Sequence, residues 1–252
     1  MLDIETLKKI DKKSMFDAYD KWPEISKNSY YADLEIKEFG DIEHIVFVGM
    51  GGSGTLGDIF SSILSKTNIH VSVVKGYLLP KTVDKNSLVI FSSISGNTTE
   101  TLSALKNVRK QECKTISFSS GGLLETFCKK NNLDHKKIAK NHSPRASFAP
   151  YLFSMLKILE DIIPIKKNEI INSIKELEKL NKKISSKNLT SKNPALKLAN
   201  EISGIPLVYY PFGLQAAAIR FKNSLQENAK THAIIEDVIE ASHMNCCLGK
   251  KI

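Results

Sequence analysis

A polar turn between an apolar run and a helix-like segment contains the residues best suited to bind an anion. Residues 87–91 (SLVIF) are typical of a buried strand, and residues 93–98 (SISGNT) follow shortly after them. Helical spacing begins at Thr98, so the hydroxyls of Ser93, Ser95 and Thr98 should converge with backbone N–H groups that a helix start leaves unpaired. Such a point favours phosphate. An ordinary helix cap in a serine-rich turn gives the same pattern, and both interpretations are open at this stage.

A glycine-rich turn follows an earlier apolar run. Residues 44–48 (HIVFV) end in GMGGSG (49–54), and a helix-like segment continues from there. In open parallel sheets, ligands bind outside the carboxyl ends of the strands, where both turns are expected. Glycines at 49, 51 and 54 fit the GxGxxG spacing of dinucleotide-binding turns, but Lys75 stands where that motif needs an acid. NAD binding is therefore the weaker use of these glycines.

Strands and helices alternate through the first part of the chain, which predicts an α/β fold with a parallel sheet sandwiched by helices. The predicted strands are residues 44–48, 70–74, 87–91, 114–118 and 136–139. The predicted helices are 2–20, a segment after the glycine run through Leu64, 98–110 and 123–130. A turn is expected around Pro23 and a loop between Pro144 and Pro150.

A second, smaller α/β unit is predicted in the rest of the chain. Helices 151–160 and 168–184 and a polar turn at 185–193 lead to helices 195–202 and 214–230 and strands 205–210 and 233–235. We expect a first domain at 1–155 and a second, C-terminally short one at 156–252.

Composition excludes several classes of protein. The 252 residues are 42% hydrophobic, with no window near the roughly 20 apolar residues that span a bilayer and a charged N-terminus, so we expect a cytoplasmic protein without a membrane segment. Four cysteines show no CxxC spacing, which argues against a zinc site or disulfide framework. The net charge of +9 comes mostly from dispersed lysines without interleaved aromatics, which favours a solvated surface over nucleic-acid binding.

Four segments together resemble the archaeal bifunctional phosphoglucose/phosphomannose isomerases, which are built from two sugar isomerase (SIS) domains. The segments are GMGGSGTLGD (49–58), SISGNTTET (93–101), PRASF (144–148) and RFKNSLQENAK (220–230), with a histidine at 243. The resemblance implies a homodimeric isomerase that interconverts glucose 6-phosphate and mannose 6-phosphate with fructose 6-phosphate through a cis-enediol. It implies neither a cofactor nor a metal.

The resemblance also implies residue roles. Gly51, Gly52 and Ser53 would line the sugar-phosphate pocket, while the Ser93, Ser95 and Thr98 hydroxyls would hold the phosphate. Arg145 would stabilise the enediolate, Glu227 would move the proton between C2 and C1, and His243 would open the sugar ring, reaching into the partner subunit's site. A carboxylate base, a cation and a proton donor are what this reaction needs.

Without the family resemblance, Arg145, Glu227 and His243 have simpler interpretations. Arg145 would be an exposed loop residue, Glu227 would form an i, i+3 ion pair with Lys230, and His243 would be a surface histidine.

The sequence also departs from the family pattern. Residues 239–245 (IEASHMN) keep the histidine of the pattern PE-x-NHNE without its flanking asparagines and acid. Family members continue for some tens of residues beyond it, with the last strands of the second sheet and a C-terminal helix. A non-catalytic SIS module that binds or senses a sugar phosphate is therefore the alternative function.

Overall fold

A five-stranded parallel sheet forms the centre of the computed structural model, which describes residues 2–35 and 38–244. Its strands are β1 (His44–Val48), β2 (His70–Val74), β3 (Ser87–Ser93), β4 (Lys114–Ser119) and β5 (Asp134–Lys137), in the order β2-β1-β3-β4-β5. The inner strands β1 and β3 are buried along their whole length, as expected for apolar strands covered on both faces.

Helices cover both faces of this sheet. The helices of this part of the chain are α1 (Ile4–Ile10), α2 (Met15–Asp20), α3 (Trp22–Tyr30), α4 (Gly52–Leu64), α5 (Thr99–Val108), α6 (Gly122–Lys130), α7 (Phe148–Ile158) and α8 (Lys167–Ile184). Because strand side chains alternate, Ile45 and Phe47 join one core with residues of α4 and α7, whereas Val46 and Val48 join another with residues of α5 and α6. The predicted α/β sandwich is thus confirmed.

The strand order creates a crevice at one edge of the sheet. From β1 the chain passes through α4 to β2 on one side, and then returns to β3 on the other side of β1. The turns that follow β1 and β3 therefore leave the same edge of the sheet and lead to helices on opposite faces, α4 and α5. Ligands bind at such a switch point in open α/β sheets, and the two predicted binding turns lie there.

The second part of the chain is a smaller α/β unit. It contains α9 (Pro194–Glu201), β6 (Leu207–Tyr210), α10 (Gln215–Ser224), a π-helical turn (Leu225–Ala229), β7 (Ile234–Asp237) and α11 (Val238–Met244). β6 and β7 pair in parallel, and α10 packs on α4. Leu207, Tyr209 and Ile234 are about half exposed on this small sheet, in line with the apolar surface expected of two strands.

Several predicted boundaries are wrong. The first helix is two helices, α1 and α2, and Pro23 lies in the first turn of α3 instead of a turn between elements, where its missing N–H costs nothing. The loop expected between Pro144 and Pro150 is a 3₁₀ turn (Pro144–Ser147) that runs directly into α7. β5 lies at Asp134–Lys137, two residues before the predicted strand.

The described residues contain neither a membrane-spanning helix nor a cluster of metal ligands. No helix among them is both long and apolar enough to cross a membrane, and no cluster of three potential metal ligands occurs in ranges 2–35 and 38–244. Cys113 and Cys128 are free thiols, and the adjacent Cys246 and Cys247 lie outside the described residues.

Candidate active site

The polar turn after β3 is an ordered loop rather than a capped helix start. Ser93 Oγ lies 2.8 Å from Thr98 Oγ1 and accepts the Gly96 N–H at 3.1 Å, while Ser95 Oγ accepts the Asn97 N–H at 3.2 Å. Thr98 occupies the N-cap position of α5, but its side chain makes no capping hydrogen bond. The first N–H groups of α5 are thus not capped by the residue that an ordinary helix start would use.

The polar loop packs closely against a second turn that contains glycine. Gly96 has φ +71° and packs against the turn that follows β4, where Gly121 and Gly122 also have positive φ. A Cβ on Gly96 would lie 1.8 Å from the Gly121 carbonyl oxygen. A Cβ on Gly122 would lie 2.7 Å from Asn97 Oδ1 and 2.7 Å from the Ser95 carbonyl oxygen. These two positions therefore require glycine for space as well as for backbone conformation.

Hydrogen bonds fix the loop carbonyls to the same neighbouring turn. Ser120 donates to the Ile94 carbonyl from both its N–H (3.1 Å) and its hydroxyl (2.6 Å), and the buried Tyr151 hydroxyl reaches the same oxygen at 3.4 Å. Leu124 N–H donates to the Gly96 carbonyl at 2.9 Å. Burial raises the pKa of the Tyr151 hydroxyl above its ordinary value, so it remains a neutral donor.

A half-buried histidine supports the turn after β4. His135 Nε2 lies 2.8 Å from Ser119 Oγ, which in turn donates to the Gly121 carbonyl at 2.8 Å. Burial lowers the pKa of His135 below its ordinary value, so the imidazole is neutral at physiological pH. The path from His135 through Ser119 to Gly121 ends against Gly96 of the polar loop.

The glycine-rich turn after β1 brings the start of α4 to the same edge. Gly51 is the N-cap residue of α4, with φ +54°, and Ser53 is buried in the first turn of this helix. Gly49 and Gly54 serve close packing, because a Cβ on Gly54 would lie 2.9 Å from the Gly49 carbonyl oxygen. Lys75, which replaces the acid of a dinucleotide site, forms an ion pair with Asp58 at 2.6 Å.

The structure brings Arg145 and Glu227 into direct contact. Arg145 Nε lies 3.3 Å from Glu227 Oε2, and its Nη1 donates to the Glu227 carbonyl oxygen at 2.7 Å and to Asn228 Oδ1 at 3.1 Å. The side chains of the pair are 33% and 39% exposed, so a ligand can reach both. Arg145 lies on the 3₁₀ turn before α7, and Glu227 lies on the π turn after α10.

This pairing replaces the ion pair predicted from helical spacing alone. Lys230 Nζ contacts the Glu227 carbonyl oxygen at 2.8 Å, not its carboxylate. The reason is the π turn, which alters the i, i+3 spacing of an α-helix and ends at Lys230 in the left-handed conformation. π turns of this kind recur at functional sites.

Two contacts tie the Arg145–Glu227 pair to the polar turns. Asn223 of α10 lies 3.4 Å from Thr55 Oγ1 in the first turns of α4, and Thr55 Oγ1 donates to the Gly51 carbonyl at 3.1 Å. Tyr151 of α7, one and a half turns beyond Arg145, contacts the Ile94 carbonyl of the polar loop. These contacts connect α10, which leads into the π turn of Glu227, to the glycine-rich turn, and α7, which follows the turn of Arg145, to the polar loop.

His243 stands apart from this group. It is exposed on α11, and within the described part of the chain no hydrogen bond or ion pair joins it to Arg145 or Glu227. Asn245, one of the positions that departs from the family pattern, lies outside the described residues.

Sequence reasoning did not identify the turn at Ser119–Gly122 or the contact residues Asn228 and Arg220. Adjacent glycines directly after a predicted strand are a signal for the first of these. No local signal marks the others, because their roles depend on contacts with residues more than 70 positions away.

Two protein families match parts of the chain. The SIS domain matches residues 38–155, and the bacterial phospho-glucose isomerase C-terminal SIS domain matches residues 191–248. The fold is similar to that of a glucosamine-6-phosphate deaminase from Thermotoga maritima, with a TM-score of 0.68 and 17% identity over 95% of this chain and 73% of that one.

Several relatives of similar sequence share the name of one bifunctional enzyme, whereas another, 28% identical over 91% of this chain, is named a D-glucosamine-6-phosphate 4-epimerase from Sulfolobus acidocaldarius. A bifunctional phosphoglucose/phosphomannose isomerase from Caldicellulosiruptor bescii is 32% identical over 91% of this chain, and one from Aquifex aeolicus is 33% identical over 82%. The chain spans 70% of the length of the first and 62% of the second. It therefore belongs to the family of the bifunctional phosphoglucose/phosphomannose isomerases, a family of enzymes that isomerise sugar phosphates.

Proposed function

We propose that the protein interconverts glucose 6-phosphate and mannose 6-phosphate with fructose 6-phosphate through a cis-enediol. The observation that carries the proposal is the contact between Arg145 and Glu227, a cation and a carboxylate that lie 82 positions apart in the chain. Aldose–ketose isomerisation needs this combination of groups beside two adjacent carbons.

The phosphate of the substrate is assigned to the polar loop. Ser93, Ser95 and Thr98 supply hydroxyls, and α5 supplies N–H groups and the positive end of its dipole, worth about 0.3–1 kcal/mol for an anion. Gly51, Gly52 and Ser53 line the other side of the crevice, where glycine lets the sugar approach the backbone.

The sugar carbons are assigned to the Arg145–Glu227 pair. The Glu227 carboxylate removes the proton from C2 of the open-chain aldose, and the electron pair of that C–H bond forms the C1–C2 double bond as the C1 carbonyl becomes an oxyanion. Arg145 stabilises this charge. Glu227 then returns the proton to C1, and the proton of the C2 hydroxyl passes to the C1 oxygen. C2 becomes the ketose carbonyl and C1 the new alcohol, with no net gain or loss of protons or electrons.

The ring-opening role is assigned to His243 of a second copy of the chain. Its exposed position on α11, away from Arg145 and Glu227 of its own chain, supports contact with the site of a neighbouring subunit in a homodimer. We place the reaction in the cytoplasm, and we assign no role to nucleic acid because the net charge of +9 comes mostly from dispersed lysines.

Fructose 6-phosphate incubated with the chain in deuterated water tests the proposal. Glucose 6-phosphate and mannose 6-phosphate should appear by NMR with deuterium at C2, because the enediol exchanges its proton with solvent. Thermal stabilisation by sugar phosphate without any product would contradict isomerisation and identify a non-catalytic binding module instead.

Replacing the base separates chemistry from binding. Glu227→Gln should lower kcat about 100-fold or more, since general base catalysis supplies about 10²–10⁴-fold, while the affinity for inorganic phosphate stays the same. Glu176→Gln is the matched control, because it also removes an ion-paired carboxylate, on the exposed face of α8. Equal activity of the two variants would refute the assignment of Glu227.

A further inference from the structure

The turn that carries Arg145 is held by two side chains from distant segments. Trp22 Nε1 on α3 donates to the Ala146 carbonyl at 2.8 Å, and Arg220 Nη2 on α10 donates to the Arg145 carbonyl at 2.7 Å. Only four residues make up this 3₁₀ turn, so its own hydrogen bonds constrain it weakly. External donors therefore contribute much of its orientation.

Aromatic rings fix the Arg220 side chain in turn. Its guanidinium carbon lies 4.9 Å from the centre of the Phe148 ring and 5.9 Å from that of Trp22. A planar guanidinium can stack on rings while it donates from its edge, which a lysine ammonium cannot do.

α10 and the π turn that follows it contact both the main chain and the side chain of Arg145. Arg220 holds its main chain, and seven residues further along Glu227 and Asn228 hold its side chain. Arg220 and Glu227 are attached to the same helix and its π turn. A shift of α10 therefore alters the contacts of both residues with Arg145.

We infer that Arg220 is a positioning residue for the isomerase, acting through the main chain of Arg145. The catalytic consequence of this inference rests on the proposed function. The contact of Arg220 with the Arg145 carbonyl should also orient Arg145 toward any planar anion at the sugar site. Arg220 is not assigned to the substrate.

The test compares Arg220→Lys with Arg109→Lys, a matched change at the exposed end of α5. Arg220→Lys should lower kcat about 10- to 100-fold, as displacement of a catalytic group by about 1 Å does, with KM nearly unchanged. Calorimetry should show weaker binding of a phosphorylated arabinonohydroxamate, whose planar anion mimics the enediolate, and unchanged binding of inorganic phosphate.

A double-mutant cycle decides between positioning and general stability. On an Arg145→Lys background, Arg220→Lys should have little further effect on hydroxamate affinity, whereas an equal loss on both backgrounds would overturn the inference. Trp22→Phe, which removes one donor and keeps a ring, should weaken hydroxamate binding in the same direction if Arg220→Lys does not fold.

Hydroxamate binding also distinguishes failure of the proposed isomerase function from failure of the positioning role of Arg220. An inert wild type that binds hydroxamate through Arg220 would refute isomerisation and keep the positioning role. A wild type that binds phosphate but not hydroxamate would refute both.

Discussion

Substitution of Gly96 by alanine should be among the most damaging single changes in the chain. The backbone at φ +71° costs an L-residue about 1–2 kcal/mol, and a Cβ would lie 1.8 Å from the Gly121 carbonyl oxygen. That oxygen belongs to a backbone fixed by Ser119, so relief requires movement of a packed turn, which costs about 1–3 kcal/mol. We expect the free energy of unfolding to fall by about 2–5 kcal/mol.

Gly204→Ala provides the matched control. Gly204 has φ +67°, but no atom lies within 4 Å of its ideal Cβ, so this variant should lose only the backbone term of about 1–2 kcal/mol. Urea unfolding measures both values, and thermal unfolding with inorganic phosphate measures whether the loop still binds. Equal destabilisation by the two substitutions, or phosphate stabilisation retained in Gly96→Ala, would refute the explanation based on close packing of the two turns.

The remaining predictions concern pH and the second subunit. Because burial lowers the pKa of folded His135, the unfolded chain binds more protons, so stability should be full above about pH 6.5 and fall as pH drops through the lowered pKa. The urea midpoints at about pH 7.5 and 5.5 should differ less in His135→Gln than in the wild type. The remaining difference is partly due to His44, whose pKa burial also lowers. A difference as large as in the wild type would refute the role of His135. If His243 serves the partner's site, mixing inactive Glu227→Gln and His243→Asn subunits should restore about a quarter of the wild-type activity, and no restoration would contradict a shared site.

The apolar strands were predictable because burial dictates their composition. β1 and β3 are two of the three inner strands, and their runs of Val, Ile and Phe leave little alternative. β5 is different, since this edge strand is formed by Asp134-His135-Lys136-Lys137. Its lysine charge is paired, with Lys136 Nζ 3.2 Å from Glu35 and 3.6 Å from Asp134. A hydrophobicity argument points to Ile138 instead and therefore misses the pairing of this strand with β4.

The candidate site was predictable where its residues are contiguous. Ser93 to Thr98 form one segment, and its polar loop follows from local rules. The partner of Glu227 was not predictable from local rules, since helical spacing favoured Lys230 and only the π turn with tertiary docking selects Arg145. The division into domains at residues 155 and 156 remains a prediction.

The separation of Arg145 and Glu227 along the chain has a consequence for folding. The polar loop and its supporting turn are complete within the first sheet, whose strands lie close together in sequence, whereas the contact of Arg145 with Glu227 closes a span of 82 residues. Units folded from the N-terminus during synthesis form before such distant contacts. A nascent chain should therefore acquire its anion-binding loop first and its acid–cation pair last, when α10 docks on α4.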